Sequence, residues 1–298
     1  MLRLMPGGNI TSITQNHITL SNTAIIYQEA LVSHNNIISN PIINMSNIDS
    51  ASVRRQNRSN FRVLRRLVAA WFRDPTQFSR PQSGVPKFTC PMCGHHGMFI
   101  SVGRPTRWDA RCPDCGSRER HRLTWLWVTE AGNNKFSGKR IIHFAPEKIW
   151  MKKMQGQQNY ETADLYQKNV THQENITKLS LPDNCFDVVM CHHVLEHIDD
   201  DAAAMRELFR ILKPGGLAVL SVPINTSRYE TYEDKTILDP AIRRKCYGGT
   251  DHLRFYGMDF GEKLGAVGFK IDIFRLPEAD ETHYGLLNNE FIYIAHKA

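Results

Sequence analysis

CFDVVMCHHVLEHIDDDAAAMRELFRILKPGGLAVLSVP, residues 185–223, switches hydrophobic period twice. Val188, Val189 and Met190 form a continuous apolar run, the pattern of a strand buried on both faces of a parallel sheet. Met205, Leu208, Phe209 and Leu212 then recur at i, i+3, i+4 and i+7, which is one face of a helix. Asp199, Asp200 and Asp201 place a cap and negative charge at the N-terminus of that helix. Lys213-Pro214-Gly215-Gly216 predicts its stop, and Leu217–Val222 the next buried strand. Strand, helix and strand in this order make a βαβ unit, which implies a parallel sheet with helices on its faces.

A second pattern lies upstream, in KFTCPMCGHHGMFISVGRPTRWDARCPDCG, residues 87–116. Cys90-x-x-Cys93 and Cys112-x-x-Cys115 are separated by eighteen residues. In each pair the Pro and Gly shape a tight turn that lets both thiolates face one ion. This spacing predicts a four-cysteine zinc ribbon, and the zinc is expected to be structural because four thiolates leave no position for water. A redox CxxC pair would call for a surrounding βαβ pattern, which the segment lacks. The chain has seven cysteines. An odd count with paired knuckles points to metal binding in a reducing compartment, expected to be the cytoplasm, over a disulfide framework.

FDVVMCHHVLEHI followed by ELFRILKPGGLAVLSVP resembles the fourth-to-fifth-strand segment of class I S-adenosylmethionine (SAM) dependent methyltransferases, of the type 11 kind. The resemblance runs from about Lys139 to the C-terminus. With the CPxCG ribbon and the Ser117-Arg118-Glu119-Arg120-His121-Arg122 run after it, the chain is similar to a family of zinc-ribbon methyltransferases. The resemblance implies an α/β fold with a Rossmann-like seven-stranded sheet and a small N-terminal zinc ribbon. It implies SAM as cofactor, held by Phe144, Ala145, Pro146, Glu147, Asp164, Leu165, Asn175, Ile176 and His192. Asp164 stands where the family binds the ribose hydroxyls, and Asn175-Ile176 where it holds the adenine. HFAPE, residues 143–147, replaces the family's glycine-rich turn. The missing glycines argue against a dinucleotide, whose pyrophosphate needs them.

His193, Glu196 and His197 follow the fourth strand, where these enzymes place their acceptor, and share one face if that turn is helical. They are candidate catalytic residues together with His252, and His193 is the candidate general base. The similar segment of ubiquinone-pathway O-methyltransferases carries Glu-x-x-Glu-His, a proposed divalent-metal site. Here His193 replaces the first Glu. The Asn-Pro-Pro-Tyr motif of many amino-group methyltransferases is also absent, which favours an oxygen acceptor. His-x-x-Glu-His also fits an inverted zinc-protease motif, but a buried strand directly precedes it where a long helix would be needed.

Four regions are expected: an extension at 1–50 with no period, a basic amphipathic helix and linker at 51–85, the ribbon at 86–120, and the methyltransferase domain at 121–298. Phe61, Leu64, Leu67, Val68, Trp71 and Phe72 make the stripe of the basic helix. It is expected to pack on the next domain, while RNA, a membrane surface or a partner are its other possible contacts. The arginines after the ribbon either hold an anionic substrate group or lock ribbon to domain. Asp251, Arg254 and Tyr256, within a polar loop at 231–257, are expected to contact substrate. The formal net charge of +7 suits an anionic partner without requiring one. No stretch is long and apolar enough to span a membrane. The expected function is SAM-dependent methylation of an unidentified acceptor, a hydroxyl of a small molecule or glycan. The alternatives are RNA methylation and a non-catalytic zinc-ribbon binding module.

Overall fold

The computed structural model describes residues 61, 63–70, 87–103, 107–132, 134–286 and 290–298. The extension at 1–50 lies outside the described residues, as do Trp71 and Phe72. Residues 63–70 are helical. Phe61, Leu64 and Val68 are exposed there and Leu67 is half-buried. Arg66 instead donates hydrogen bonds to the Pro113 and Asp114 carbonyls of the second cysteine knuckle.

The apolar run at 188–190 lies in the middle strand of a seven-stranded sheet. Four short strands, β1 (Phe88–Thr89), β2 (His96–Gly97), β3 (Ile100–Val102) and β4 (Arg107–Arg111), form two antiparallel pairs around the cysteines. Helix α1 (Glu119–Val128) leads into β5 (Ile141–Phe144), α2 (Lys148–Lys153), β6 (Tyr160–Asp164) and β7 (His172–Gln173). Next come β8 (Phe186–His192), a 3-10 turn at Leu195–His197, α3 (Asp201–Ile211) and β9 (Leu212–Ser221). The remainder is β10 (Tyr232–Glu233), α4 (Pro240–Tyr247), β11 (Arg254–Phe255), α5 (Phe260–Ala266), β12 (Lys270–Phe274), α6 (Glu278–Tyr284) and β13 (Ile292–His296).

The sheet order is β12-β13-β9-β8-β5-β6-β7. Its strands run parallel except β13, which lies antiparallel between β12 and β9. This is the expected seven-stranded α/β sheet. Alternation along the strands sorts side chains to two faces. Ile142, Phe144, Val189, Cys191, Ala218 and Leu220 pack against Met205, Leu208 and Ile211 of α3 and Phe260 and Leu264 of α5. Ile141, Val188, Met190, Val219 and Ile294 pack against Leu123 and Trp127 of α1 and Trp150 of α2. The cap expected of the aspartates is made by Asp200, whose Oδ1 accepts from Ala203 N at 2.8 Å.

Two expectations change. Lys213–Gly216 is not a free stop: β9 already begins at Leu212, and these residues bulge out between the pairs Phe186↔Leu212 and Val188↔Leu217. Gly215 N donates to Lys297 O and Lys297 N to Gly216 O, which pins the bulge to the C-terminal strand. Position 216 has to be glycine, because a Cβ there would stand 2.8 Å from Lys213 O. The polar loop at 231–257 is also more ordered than its composition suggests. It contains α4, capped by Asp239, and the antiparallel pair β10–β11.

Candidate functional site

The chain leaves β5 toward β6 on one side and returns to β8 on the other, so the strand order reverses between β5 and β8. In open α/β sheets ligands bind at such a switch point, outside the carboxyl ends of the strands. Those ends are Phe144 and His192. Ala145 follows with φ 48°, a left-handed conformation, and its N–H bonds to Ala163 O at 2.8 Å. The turn thus keeps the backbone shape that a glycine would supply, carried by the smallest residue with a Cβ.

Two histidines lie behind this turn. His143 Nδ1 is 2.8 Å from Tyr160 Oη, and His192 Nδ1 is 2.9 Å from Ser221 Oγ. Their rings meet edge to face with centroids 6.1 Å apart. Both are buried, and neither Nε2 has a hydrogen-bond partner among the described residues. Burial pushes His143 down to about 4 and His192 well below its ordinary value. Both imidazoles are therefore neutral at neutral pH and do not repel a cation.

Glu147 opens α2; its Oε1 accepts from Arg120 Nε at 3.1 Å, and its Oε2 lies 2.7 Å from His121 Nε2. Burial pulls its carboxyl up, but the His121 contact and the Arg120 charge outweigh that and hold it well below the usual carboxylate range. The arginine run therefore divides its work. Arg120 and His121 reach the β5 turn, while the buried Arg122 donates to Ala110 O and Ser117 O in the ribbon and to Tyr284 O and Gly285 O after α6. Glu119 pairs with Arg107 of β4 at 3.2 Å. Ribbon and sheet are locked together by Glu119 and Arg122.

Beyond β6, Asp164 Oδ1 accepts the N–H groups of Tyr166 and Gln167 at 2.7 and 2.8 Å. Its other oxygen accepts from the Gln167 amide at 3.2 Å. Leu165 is exposed beside it. Asn175 Oδ1 accepts from the N–H and hydroxyl of Thr177, so it holds a turn, and Ile176 lies in the core. A left-handed turn with a small residue, neutral buried imidazoles and an acidic residue ending the second strand suit the sulfonium nucleoside that the resemblance implies.

On the far side of β8 the structure brings His193, Glu196, His197 and His252 together. His193 takes φ 54° and its N–H bonds to Ser221 O at 2.8 Å. Its Nδ1 lies 3.2 Å from Glu196 Oε1, and His197 Nε2 lies 3.9 Å from the same oxygen. The His197 and His252 rings meet edge to face at 4.7 Å. Asp251 is exposed and approaches His197 Nδ1 at 3.2 Å. Arg254 and Tyr256 are buried, which does not suit the substrate contact expected of them. Arg254 donates to the Leu195, Ile198 and Asp199 carbonyls, and Tyr256 Oη donates to Asp201 Oδ2 at 2.7 Å. These two side chains fix the polar loop onto the turn after β8.

In the ribbon the four cysteine sulfurs lie within 4.8 Å of one another. Cys90 and Cys115 Sγ are 3.6 Å apart, and Cys93 and Cys112 Sγ are 3.7 Å apart. A tetrahedron with metal–sulfur bonds of about 2.3 Å has edges of roughly 3.8 Å, so the spacing suits one zinc-sized ion. Gly94 and Gly116 take φ 77° and 83°, the turn geometry expected of each knuckle.

Several site residues were not singled out by the sequence reading. His143 and Ser221 sit inside otherwise apolar strands, where a polar residue is itself a signal. Glu290, ahead of β13, lies within the electrostatic reach of Glu119, His193 and Arg120, and burial pushes its carboxyl up. It left no local pattern. Among the described residues no helix is long and apolar enough to cross a membrane.

The sequence profile described as "Methyltransferase domain" matches residues 142–220. A Mycolicibacterium smegmatis protein named "Probable S-adenosylmethionine-dependent methyltransferase" is 36% identical over 208 residues, covering 69% of this chain and 77% of that one. A ubiquinone/menaquinone biosynthesis C-methyltransferase of Pasteurella multocida is 36% identical over 96 residues, 32% of this chain and 29% of its own. Among solved structures, a SAM-dependent methyltransferase of Mesorhizobium loti is similar with a TM-score of 0.40 and 18% identity, over 58% of this chain and 96% of that one.

Proposed function

Because the chain belongs to the S-adenosylmethionine-dependent methyltransferases, we propose that its acceptor is a hydroxyl of a small molecule or glycan. SAM, when bound, supplies a methyl group made electrophilic by its sulfonium. Phe144–Glu147, Asp164, Leu165 and His192 would hold it, with Asp164 accepting from the ribose hydroxyls and Asn175 and Ile176 beside the base.

The observation that carries the oxygen reading is the His193–Glu196 pair at the end of β8. A carboxylate at 3.2 Å from Nδ1 fixes the proton there and leaves Nε2 to accept one. A hydroxyl needs such a base to become a good nucleophile. His252 and Asp251 would line the same side.

We also propose that Cys90, Cys93, Cys112 and Cys115 hold one structural zinc, and that the enzyme works in a reducing compartment, the cytoplasm. Four free thiols so close together suit such conditions.

Incubation with methyl-labelled SAM and fractionated cell extract tests the acceptor. Label in a small-molecule or glycan fraction, released under conditions that cleave methyl ethers, is expected. Label in RNA would replace this reading with the nucleic-acid one. Intact SAM binding without transfer to any fraction would favour the binding module. His193→Ala should lower turnover by ~10²–10⁴ while SAM affinity stays near normal.

A further inference from the structure

Away from the cysteines, a second set of metal-type donors meets beside the turn after β8. One carboxylate oxygen of Glu196 and one ring nitrogen each of His197 and His252 lie within 4.8 Å of one another. We infer that these three residues form a second metal site, for a first-row divalent transition ion.

Each donor is oriented by a partner on its far side. His252 Nδ1 lies 2.9 Å from Tyr247 O, and a carbonyl only accepts, so the proton sits on Nδ1 and Nε2 keeps its lone pair. His197 Nδ1 lies 3.2 Å from Asp251 Oδ2 and 3.4 Å from Asp251 O, which directs its Nε2 toward Glu196 in the same way. Glu196 is 1% exposed. Its Oε1 lies 3.2 Å from His193 Nδ1 and 3.9 Å from His197 Nε2, while Oε2 has no hydrogen-bond partner among the described residues. A buried carboxylate oxygen without a donor is unfavourable, and a cation removes that penalty.

The backbone is arranged to the same end. Leu253 N donates to Glu196 O at 2.8 Å, and Arg254 holds the carbonyls of Leu195, Ile198 and Asp199. Two segments distant in the chain are thereby held at a fixed separation. Position 249 must lack a side chain for this, because a Cβ there would collide with the His252 ring at Nε2. The ligand set is not the whole of the local motif His193-x-x-Glu196-His197. His193, at the first place of that motif, pairs with Glu196 instead, and the third donor comes from the loop after α4.

The donor chemistry selects the ion. Magnesium and calcium prefer shells made of oxygen, whereas two imidazoles and one carboxylate suit zinc, manganese, iron or cobalt. Three protein donors leave coordination positions open, so an ion here would remain accessible to water or to a ligand.

The test counts divalent ions per chain, as metal retained on purification plus Co²⁺ taken up in the presence of a weak competing chelator. The ribbon metal is left in place. Wild type is expected to hold two ions, and Glu196→Gln and His252→Ala one each, with unchanged circular dichroism. Gly249→Ala should weaken the second site by ~10–100-fold, as loss of a ligand's supporting geometry does. Should Glu196→Gln fold poorly, His252→Ala, in a surface loop, carries the comparison alone. A metal count that does not fall in the folded variants overturns the assignment, whatever the four cysteines hold. Because no methyl transfer is measured, either result is independent of the acceptor.

Discussion

The ribbon and the sheet hold their chains by different means. The sheet buries apolar residues on both faces, and the side chains at 188–192 of β8 and 218–221 of β9 are almost entirely removed from water. Among the described residues the ribbon has a small cluster, Phe88, Met92 and Phe99 beside Cys90 and Cys112, with Ile100, Val102 and Ala110 also buried, over strands of two to five residues. Such a core is too small to fix a fold unaided, so its order depends on what joins the four sulfurs. The sheet can tolerate the loss of any one contact, whereas the ribbon, if its cysteines hold the proposed zinc, cannot tolerate the loss of that ion.

The largest effect expected from this contrast is on metal removal. Binding energies of structural zinc run to about 10 kcal/mol or more, so Cys112→Ser or a strong chelator should unfold the ribbon. Hydrogen exchange would then show residues 88–116 unprotected and β5, β8 and β9 still protected. A Cys112→Ser protein with full zinc and an intact ribbon would remove the contrast. Next is Leu208→Ala, beneath the sheet. It should cost about 2–5 kcal/mol in urea denaturation and leave the zinc content unchanged. A simultaneous loss of zinc would mean that the two parts unfold as one.

A smaller effect of comparable kind comes from pH. His143 moves from an ordinary 6.5 down to about 4 on burial, so below 6.5 the unfolded chain binds a proton that the folded chain refuses. Stability should therefore fall as pH drops from about 6.5 to about 4, by roughly 3 kcal/mol from this one group. His143→Gln should flatten that slope in denaturation curves, and an unchanged slope would place the acid sensitivity elsewhere. Smallest is Asp164→Ala, which should weaken SAM binding by ~1–3 kcal/mol in calorimetry without touching the ribbon. Equal affinity would mean that Asp164 serves only the turn to Gln167.

Periodicity disclosed the sheet because each strand and α3 repeat their own period locally, and the knuckles disclosed the cysteine cluster because all four ligands fall within 26 residues. Glu196, His197 and His252 were legible as reactive residue types, but their meeting depends on Arg254 and Tyr256, which looked like substrate contacts and instead hold the loop. Arg120 and Glu147 converge only through tertiary packing, and no spacing in the sequence records that. Lys213–Gly216 misled for a related reason. Proline and glycines usually end an element, but here the C-terminal Lys297 supplies hydrogen bonds that make the same residues a bulge within β9.

Arg122 also imposes an order on biosynthesis. Its guanidinium needs carbonyls at Ala110 and Ser117, made just before it, and at Tyr284 and Gly285, made 162 and 163 residues later. At about 5–20 residues per second a ribosome takes roughly 8–30 s to cover that distance. The cysteine knuckles are therefore complete early, but Arg122 cannot secure the ribbon to the catalytic body until the C-terminal segment emerges. Nascent chains stalled between these points would carry a ribbon whose buried arginine has only its Ala110 and Ser117 partners.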